Sequence, residues 1–427
     1  MKKTRFFYEI NCFLFVLLGW LLLLGKAVEV NREKDREMTE KRNEYVSEEM
    51  EAAKRVVVEL SAVENKSAMS DIKDIRVLLM TSGYQSYYHP SVTVKLDGKE
   101  YVYTPESEAL QKGPLILAGK DGKFAISSIK RQEALPVYQG TLEIRKTDQG
   151  LLLINELPLE TYLESVVPSE MPASYEMQAL MAQAVCARTY AVCQMEEGTL
   201  EEYGADVDDS VNYQVYGNCS ASDRSSQAVK DTKGQILCQN GKPVTAYYFS
   251  TSSGKTSTDE IWGTESSPYL QSVECDFDQQ QPWSSWNVEI PWSMLQEKVN
   301  GQLSGLQVTK KSESGAVTEL LVLAKEEEPQ AVQGEYAVRK FLAPEGLTIT
   351  EKDKSQVTGG SILPSAYFDL EIQEGKNVKI KGRGYGHGVG MSQNAANEMA
   401  KEGYTWQEIL GYFFKNTSLE TWGKQKK

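Results

Sequence analysis

The stretch between residues 174 and 195 constrains the fold more than any other part of the sequence, because it has the pattern of one long helix. Leu180, Ala184 and Ala187 recur at intervals that place their side chains on one face of a helix. Ser174 is a suitable residue for the N-cap. Because alanine side chains are small, other elements can approach this face closely, so we predict a helix buried under a sheet.

Strand patterns occupy most of the sequence on both sides of this helix. The Asp97-Gly98 and Asp121-Gly122 pairs predict tight turns between strands. Two short helices are predicted near the C-terminus, one over 392–401 and one that starts at the capping box Thr405-x-x-Glu408. The pattern therefore predicts an α+β fold, with a β-rich domain over residues 71–420 around the central helix. The predicted strands cover residues 75–80, 92–96, 101–103, 142–145, 244–250 and 320–324.

The N-terminus has the features of an export signal that stays in the membrane. Basic residues at positions 2, 3 and 5 precede an apolar run over residues 12–25, which directs the following chain across the membrane. The apolar run is short for a full span, but no clean small-residue cleavage site follows it. We therefore predict an uncleaved single-pass anchor helix over residues 1–28, a charged stalk over 29–70, and a domain on the outer face of the cell membrane.

Charge and rare residue types exclude several classes of function. The formal net charge of −14 argues against nucleic-acid binding, which relies on clustered Lys and Arg. The sequence has two histidines, His89 and His387, so a metal centre built on several histidines is excluded. The six cysteines show no C-x-x-C pair and no zinc spacing, which indicates small buried side chains, with one disulfide as the alternative.

Glu170 is the first candidate for acid–base chemistry. It lies between Pro168 and Pro172 at the predicted entrance to the long helix, and its apolar neighbours include Met171. An apolar environment raises the pKa of a carboxyl, and a raised pKa lets a general acid keep its proton near neutral pH. From the pattern alone, a surface or capping glutamate is the alternative.

The segment 382–393 is a second candidate, because glycine occupies every second position over most of its length. It lacks the glycine spacing of a dinucleotide-binding loop. If the segment is extended, Tyr385 and His387 lie on the same side, and the glycines let another chain or a flat ligand such as a sugar ring approach the backbone. We predict that Tyr385, His387, Ser392 and Gln393 bind the substrate; a tightly packed central strand is the alternative.

A third candidate is the hydroxyl-rich turn that follows the Tyr-Tyr-Phe run at residues 247–249. The hydroxyls of Ser250, Thr251 and Ser252 and the amine of Lys255 suit a polyhydroxylated substrate, although they also suit an ordinary surface turn. A serine nucleophile is not expected, because the G-x-S-x-G elbow is absent.

Two long motifs resemble the stage II sporulation protein D and amidase-enhancer family. The first covers residues 157–190 and contains Glu-Met-Pro at 170–172 and Ala-Arg-Thr-Tyr at 187–190. The second is the glycine-rich segment 382–393, and weaker similarity extends the resemblance over roughly residues 75–419. This order of motifs makes the resemblance specific.

The resemblance implies a lytic transglycosylase that cleaves peptidoglycan glycan strands during spore engulfment, after an amidase has removed the stem peptides. The family's catalytic Glu corresponds to Glu170, and a residue important for activity corresponds to Arg188. The guanidinium of Arg188 is expected to reach the glycan or the carboxylate; a structural salt bridge is the alternative. The implied partners are glycan strands, a cell-wall amidase and other engulfment proteins, with no nucleic acid.

The chain departs from the family pattern where some members hold zinc. Asp208 and Asn212 stand where those members have Cys and His, and Phe249 replaces a further His. Oxygen ligands could suit a hard cation such as Ca²⁺, but no EF-hand spacing is present, so we predict no metal and no cofactor. The alternative function is a non-catalytic glycan-binding protein that enhances a cell-wall amidase.

Overall fold

The computed structural model describes residues 74–132, 135–217 and 220–423. The predicted anchor over residues 1–28 and the predicted stalk over 29–70 lie outside the described residues, so both stay predictions. In the part of the chain that is described, no helix is long and apolar enough to cross a membrane.

Two sheets form the first part of the described chain, which confirms its predicted β-rich character. Asp97 and Gly98 have φ of 49° and 76°, as a tight hairpin turn requires, and they join Val92–Leu96 to Lys99–Tyr103. A five-stranded sheet has the order Leu115–Leu117, Thr141–Thr147, Gly150–Leu157, Ile75–Leu78 and Val207–Asp208, with the last pair parallel. A four-stranded sheet has the order Lys99–Tyr103, Val92–Leu96, Lys123–Ile126 and Val137–Gln139.

Two helices follow these sheets and frame the Glu-Met-Pro motif. Helix α1 spans Leu159–Glu170 and helix α2 spans Met177–Glu197. The 21-residue helix α2 is buried along most of its length, which confirms the predicted central helix, although its N-cap is Glu176 and not Ser174. Helix α1 was not among the predicted elements, and it contains Pro168 in its last turn.

Five shorter helices complete the helices of the described chain. They are α3 (Asp223–Asp231), α4 (Trp292–Gln296), α5 (Glu335–Phe341), α6 (Gln393–Lys401) and α7 (Trp406–Phe413). Helices α3, α6 and α7 pack against α2. Ser392 caps α6, and Thr405 and Glu408 form the predicted capping box of α7. Both predicted C-terminal helices are therefore confirmed.

A second hydrophobic core lies between residues 286 and 380, apart from the core around α2. Trp286 and Trp292 are 1% and 8% exposed, so both occupy core positions. The strand predicted over 320–324 is present as part of a longer one. A five-stranded sheet has the order Gln356–Thr358, Thr348–Glu351, Trp286–Pro291, Asn377–Gly382 and Phe368–Gln373, and a three-stranded sheet has the order Gln302–Lys311, Val317–Lys325 and Gln330–Gln333.

Two small sheets bring distant parts of the chain together beside α2. Gln235–Gln239 pairs with Lys242–Pro243 and with Ser418–Thr421, and Tyr248–Phe249 pairs in parallel with Met391–Ser392. The strand predicted over 244–250 is therefore largely wrong, since regular pairing there is limited to two residues. The short parallel pair is what brings the glycine-rich segment to the hydroxyl-rich turn.

The cysteines in the described chain are small buried side chains, as the sequence indicated. Cys186, Cys193 and Cys275 are buried with free thiols. The Cys186 sulfur lies 4.0 Å from the sulfur of Met391, so it packs between α2 and the short parallel pair.

Candidate active site

Glu170 is the last residue of α1, and its carboxyl faces the segment around residue 215. The Glu170 Oε1 accepts a hydrogen bond of 2.7 Å from the backbone amide of Val215. Val166 and Val167 are fully buried, whereas Glu170 as a whole residue is partly exposed. The apolar face of α1 therefore enters the core and leaves Glu170 at an edge. Glu170 ends α1 and does not lie at the start of the long helix α2, where the sequence pattern predicts it.

The environment of Glu170 suits a general acid. Removal of the carboxyl from water raises its pKa from the ordinary value of 4.5 to about 7. Hydrogen bonds from the Val215 amide and the Tyr248 hydroxyl oppose this rise, because both stabilise the carboxylate. The upward direction expected from the apolar neighbours is therefore confirmed. A carboxyl with a pKa near 7 can both donate and accept a proton at neutral pH.

Tyr248 and Gln214 belong to this site, although the sequence analysis did not select them. The Gln214 Nε2 donates to the Tyr248 hydroxyl at 3.2 Å and to the Ala187 carbonyl at 3.1 Å. The Gln214 Oε1 accepts from the Tyr162 hydroxyl at 3.2 Å. Gln214 therefore joins Tyr162 of α1 and Ala187 of α2 to Tyr248. Tyr162 and Glu170 share α1, but Gln214 and Tyr248 are remote from them in sequence, so no sequence spacing could reveal the group.

Gln393, a predicted substrate-binding residue, holds the backbone at Glu170. Its Nε2 donates to the Glu170 carbonyl at 3.0 Å and to the Gln183 Oε1 at 3.3 Å. Gln393 is 9% exposed. Because its amide group is engaged inside the protein, the structure does not support the predicted substrate contact. Gln393 positions the end of α1 instead.

Asn394, next to Gln393, organises part of the hydroxyl-rich turn. Its Nδ2 donates to the Thr251 Oγ1 at 2.9 Å, and its Oδ1 accepts from the Tyr175 hydroxyl. Thr251 is 1% exposed, so the predicted substrate contact is not supported for this residue. Ser250 is partly exposed, and its hydroxyl lies 3.2 Å from that of Thr251. Ser250 therefore stays a candidate for binding substrate.

Ser252 and Ser392 are both tied to one buried carboxylate, Asp278. All three residues are 0% exposed. The Asp278 Oδ2 accepts from the Ser252 amide and from the Ser392 hydroxyl, each at 2.6 Å, and its Oδ1 accepts from the Ser252 hydroxyl at 2.7 Å. The structure therefore does not support the predicted substrate contacts of the two serines. Asp278 joins the hydroxyl-rich turn to the N-cap of α6.

We expect Asp278→Ala to lower the free energy of unfolding by about 1–3 kcal/mol, because it leaves the buried Ser252 amide without an acceptor, whereas the hydroxyls of Ser252 and Ser392 keep the Cys275 and Ser250 carbonyls. Urea unfolding followed by circular dichroism measures this change. The exposed neighbour Asp276 provides the control, since Asp276→Ala removes the same charge without exposing these donors. Equal unfolding midpoints for the two variants would show that Asp278 does not hold the turn.

The glycine-rich segment is not the extended strand that the sequence predicted. Gly388 and Gly390 have φ of 85° and 80°, which side chains rarely allow. A Cβ at Gly388 would lie 2.1 Å from the Tyr367 hydroxyl, and a Cβ at Gly390 would lie 2.1 Å from the Tyr247 carbonyl oxygen. The segment bends repeatedly and packs against the chain before the hydroxyl-rich turn. The predicted close approach to the glycine backbone is therefore present, but it is made by Tyr367 and Tyr247 of the same chain.

Tyr385 and His387 have different surroundings, so the prediction that they share one side of a strand is wrong. Tyr385 is 43% exposed, and its ring lies 4.7 Å from the ring of Trp283. The ring of His387 lies 5.4 Å from that of Trp262 and 5.7 Å from that of Phe249. Tyr385 and His387 stay predicted substrate contacts, but on separate surfaces.

His387 is neutral at pH 7. Burial, together with the positive charge of Arg339, lowers its pKa to about 4. The His387 Nδ1 accepts a hydrogen bond of 3.1 Å from the Val389 amide, which leaves the ring proton on Nε2. His387 therefore offers an uncharged aromatic surface and not a charged acid.

Lys255, the last residue predicted from the turn, lies among surface carboxylates. Its amine is 3.9 Å from Glu274 and 3.7 Å from Glu313, and its side chain is 31% exposed. These long ion pairs leave its predicted glycan contact untested, so that contact stays a prediction.

Arg188 forms the structural salt bridge that the sequence analysis kept as an alternative. It is 0% exposed, and its Nε and Nη2 donate to the two carboxyl oxygens of Glu160 at 2.9 and 2.7 Å. Further hydrogen bonds run to the carbonyls of Val229 and Gln235 at 3.1 and 3.3 Å. Glu160 is in the first turn of α1 and Glu170 in the last, about 15 Å apart along a helix. The structure therefore does not support a contact with the Glu170 carboxylate, and the importance of Arg188 for activity stays a prediction.

The segment that corresponds to the zinc region of some relatives is engaged in hydrogen bonds. Asp208 accepts from the Tyr87 hydroxyl at 2.8 Å and from the Ser210 amide and hydroxyl at 2.8 and 2.7 Å, whereas Asn212 is exposed. Over residues 74–132, 135–217 and 220–423, no group of three or more His, Cys, Asp or Glu side chains is arranged to hold a metal. The lack of a metal in the working protein stays a prediction.

Comparison with known proteins supports the assignment of these motifs. The family model described as stage II sporulation protein matches residues 147–238, which include α1 and α2. A stage II sporulation protein D of Bacillus subtilis (strain 168) is 34% identical over 300 residues, covering 67% of this chain and 78% of that protein. A protein of the same name from Bacillus amyloliquefaciens is 30% identical, covering 62% of this chain and 75% of that protein.

A second kind of relative has a different name. An amidase enhancer of Bacillus subtilis (strain 168) is 29% identical, and the match covers 61% of this chain but 40% of that protein. The chain therefore spans less than half of this relative, whereas it matches more than three quarters of the first. With the two motifs in order and a match over most of both chains, this protein belongs to the stage II sporulation protein D family.

Proposed function

We propose that this protein is a peptidoglycan lytic transglycosylase in which Glu170 is both the general acid and the general base. The Glu170 carboxyl, whose pKa burial raises to about 7 and which accepts hydrogen bonds from two donors, is the observation that carries the proposal. Membership of a family named for sporulation supports a role in remodelling the cell wall. The substrate we propose is the peptide-free glycan strand, reached from a single-pass anchor in the cell membrane during engulfment.

One carboxyl is sufficient for this reaction, because the substrate supplies its own nucleophile. The Glu170 proton passes to the glycosidic oxygen as the bond from that oxygen to the anomeric carbon breaks. The C6 hydroxyl oxygen of the same sugar then bonds to the anomeric carbon, and its proton passes to the Glu170 carboxylate. The new end is a 1,6-anhydro sugar, no water is consumed, and Glu170 recovers its proton.

Ordinary glycoside hydrolysis differs in its requirements. Most glycosidases need a second carboxylate about 5–10 Å away, as nucleophile or to activate water. The groups that hydrogen-bond to the Glu170 carboxyl are the Val215 amide and the Tyr248 phenol, and neither can play that part.

The test is to incubate the full chain with glycan strands from which the stem peptides have been removed, and to identify the new ends by mass spectrometry. We expect fragments that end in anhydro sugars, 18 mass units lighter than reducing ends because no water is added. Strands that retain their peptides are the matched control for substrate choice. New reducing ends would contradict the transglycosylase mechanism and indicate hydrolysis.

The rate of cleavage is expected to fall as the pH rises through about 7. The Glu170 pKa is raised to about 7, and the acid must carry its proton when the free protein meets the substrate. The ratio kcat/KM, measured at low substrate concentration between pH 5 and 9, reports this ionisation of the free protein. A rate that is constant from pH 6 to 9 would exclude Glu170 as the acid.

The similarity to an amidase enhancer favours a second candidate function. In this alternative, the protein binds glycan strands without cutting them and stimulates a partner amidase. The ring of Tyr385 beside Trp283 offers an exposed aromatic surface for such binding. Intact strands that co-sediment with the protein, together with a faster amidase in its presence, would establish this function in place of cleavage.

A further inference from the structure

We infer that the buried ion pair between Arg131 and Asp209 is a positioning pair, which holds the loop over residues 209–216 so that the Val215 amide stays directed at the Glu170 carboxyl. The catalytic consequence of this inference rests on the proposed function. The contacts themselves can be tested without any enzymatic activity.

The loop over residues 209–216 follows the strand Val207–Asp208 and returns to the place where it starts. The Asp209 amide donates to the Leu78 carbonyl at 3.3 Å, and the Asp209 carbonyl accepts from the Tyr216 amide at 3.4 Å. Asp209 and Tyr216 are 0% and 1% exposed, whereas Val211 between them is 80% exposed. Both ends of the loop are therefore buried, and Val215 lies next to one of them.

The Asp209 carboxylate fixes the start of this loop. Its Oδ1 accepts from the Met80 amide at 2.9 Å, and its Oδ2 accepts from the Arg131 Nε at 3.1 Å and also from the Arg131 Nη2. The Arg131 Nη2 donates in addition to the Met80 carbonyl at 2.8 Å. Both charged side chains are 0% exposed. Because a displaced Asp209 would leave a buried charge without its partner, the pair holds the start of the loop in one place.

Neutral contacts fix the end of the loop. The Tyr216 hydroxyl donates to the Asn155 Oδ1 at 2.7 Å. The Gln214 Nε2 donates to the Ala187 carbonyl of α2 at 3.1 Å. Val215 therefore lies between two anchored residues, and the contact between Asp209 and Tyr216 connects these anchors to the ion pair.

The Val215 donor depends on these anchors because it belongs to the backbone. A backbone N–H has no free torsion of its own, since it lies in the plane of its peptide bond. Its nitrogen lies 2.7 Å from the Glu170 Oε1, so a shift of about 1 Å would take this contact out of hydrogen-bonding range. Movement at Asp209 is therefore expected to weaken the contact at Glu170.

A charge-balanced replacement separates this positioning role from overall stability. Replacement of a buried ion pair by neutral residues often costs little stability, whereas removal of one partner costs more. Arg131→Met combined with Asp209→Asn removes both charges, and the asparagine oxygen can still accept from the Met80 amide. A change at Glu170 in this double variant then cannot come from an uncompensated charge.

The test is a carboxyl ¹³C NMR titration of Glu170 in the full chain, with the signal assigned by its absence in Glu170→Gln. The Val215 amide lowers the Glu170 pKa, because it stabilises the carboxylate. We therefore expect the double variant to move the titration midpoint upward by about one pH unit. Burial raises the pKa of the nearby phenols of Tyr162 and Tyr248 above the ordinary value of 10, so both stay neutral during the titration.

The matched control is a second buried ion pair, formed by Glu335 and Arg339 of α5. Glu335→Gln combined with Arg339→Met is expected to leave the Glu170 midpoint unchanged. Arg131→Lys keeps both charges of the first pair but loses the bidentate contact, and it is expected to move the midpoint upward by less than the double variant does. It decides the question if the double variant does not fold.

An unchanged or lowered Glu170 midpoint in the folded double variant would overturn the inference, and so would an equal shift in the control. If only Arg131→Lys folds, an unchanged midpoint in that variant has the same force. The catalytic part is tested separately: the alkaline limit of glycan cleavage is expected to move upward with the titration midpoint. If the wild-type protein cleaves no glycan, the proposed function fails, while the NMR titration still decides whether the ion pair positions the Val215 amide.

Discussion

Glu170→Gln is expected to abolish glycan cleavage, with a fall in rate of about 10⁴-fold. Glutamine has nearly the same shape and can still accept the hydrogen bond that the Val215 amide donates at 2.7 Å. It cannot supply a proton to the leaving oxygen, nor accept one from the C6 hydroxyl. Quantification of anhydro-ended fragments over time, with wild type and variant at equal concentration, measures the loss.

A measurement of unfolding stability shows whether this loss of activity arises because the variant is misfolded. The Glu170 pKa is raised from 4.5 to about 7, so the folded state holds a proton that the unfolded chain releases between these pH values. The stability of the wild type therefore falls as the pH rises from about 4.5 to 7, whereas that of the glutamine variant does not. At pH 8 we expect Glu170→Gln to be more stable than the wild type by about 1–3 kcal/mol, since partial exposure reduces the full effect. A destabilised variant at pH 8 would argue that the loss of activity reflects misfolding.

Arg188→Met is expected to lower the free energy of unfolding by about 3 kcal/mol. The substitution leaves the Glu160 carboxylate without its bidentate partner and removes the donors that Arg188 supplies to the Val229 and Gln235 carbonyls, although the Thr232 hydroxyl still contacts the Val229 carbonyl at 3.4 Å. The Glu160 side chain is 28% exposed and keeps some contact with water. The expected loss of stability is therefore at the lower end of the range for breaking a buried ion pair. Urea unfolding at pH 7 measures the change, and Arg383→Met, at an exposed arginine, is the matched control.

A comparison of activity with stability separates the two interpretations of Arg188. If Arg188 acts by holding the first turn of α1 through Glu160, then Glu160→Gln has a similar cost and the double variant costs less than the sum. Under conditions where the variant is folded, its cleavage rate per folded molecule is then expected to stay within about tenfold of the wild type. A loss of about 10³-fold in a folded variant would instead assign Arg188 to the reacting groups.

Features that depend on neighbouring residues could be predicted from the sequence. The Asp97-Gly98 turn and the Thr405 capping box each depend on a few adjacent residues whose backbone preferences are strong. The raised Glu170 pKa was also predictable, since Val166, Val167 and Met171 are its neighbours in the chain and lie in the core. These are the cases in which the local sequence determines the local environment.

Features that depend on distant pairing could not be predicted. The two-residue ladder between Tyr248–Phe249 and Met391–Ser392 is too short to leave a strand pattern, yet it places the glycine-rich segment. Because the glycines adopt positive φ there, the alternation that suggested an extended strand gave the wrong positions for Tyr385 and His387. The partners of Arg188 and Ser392, Glu160 and Asp278, are likewise remote in sequence.

The hydrogen bond from Gln393 to the Glu170 carbonyl spans 223 residues and has a consequence for the timing of assembly during synthesis. A nascent chain that ends before residue 391 already contains Glu170, but it lacks both Gln393 and the strand that pairs with Tyr248. Contacts between such distant positions form late, because the intervening chain must first be ordered. The proposed acid therefore acquires its final geometry only after residues 391–393 have been synthesised, so under the proposed function a copy truncated before them is expected not to cleave glycan.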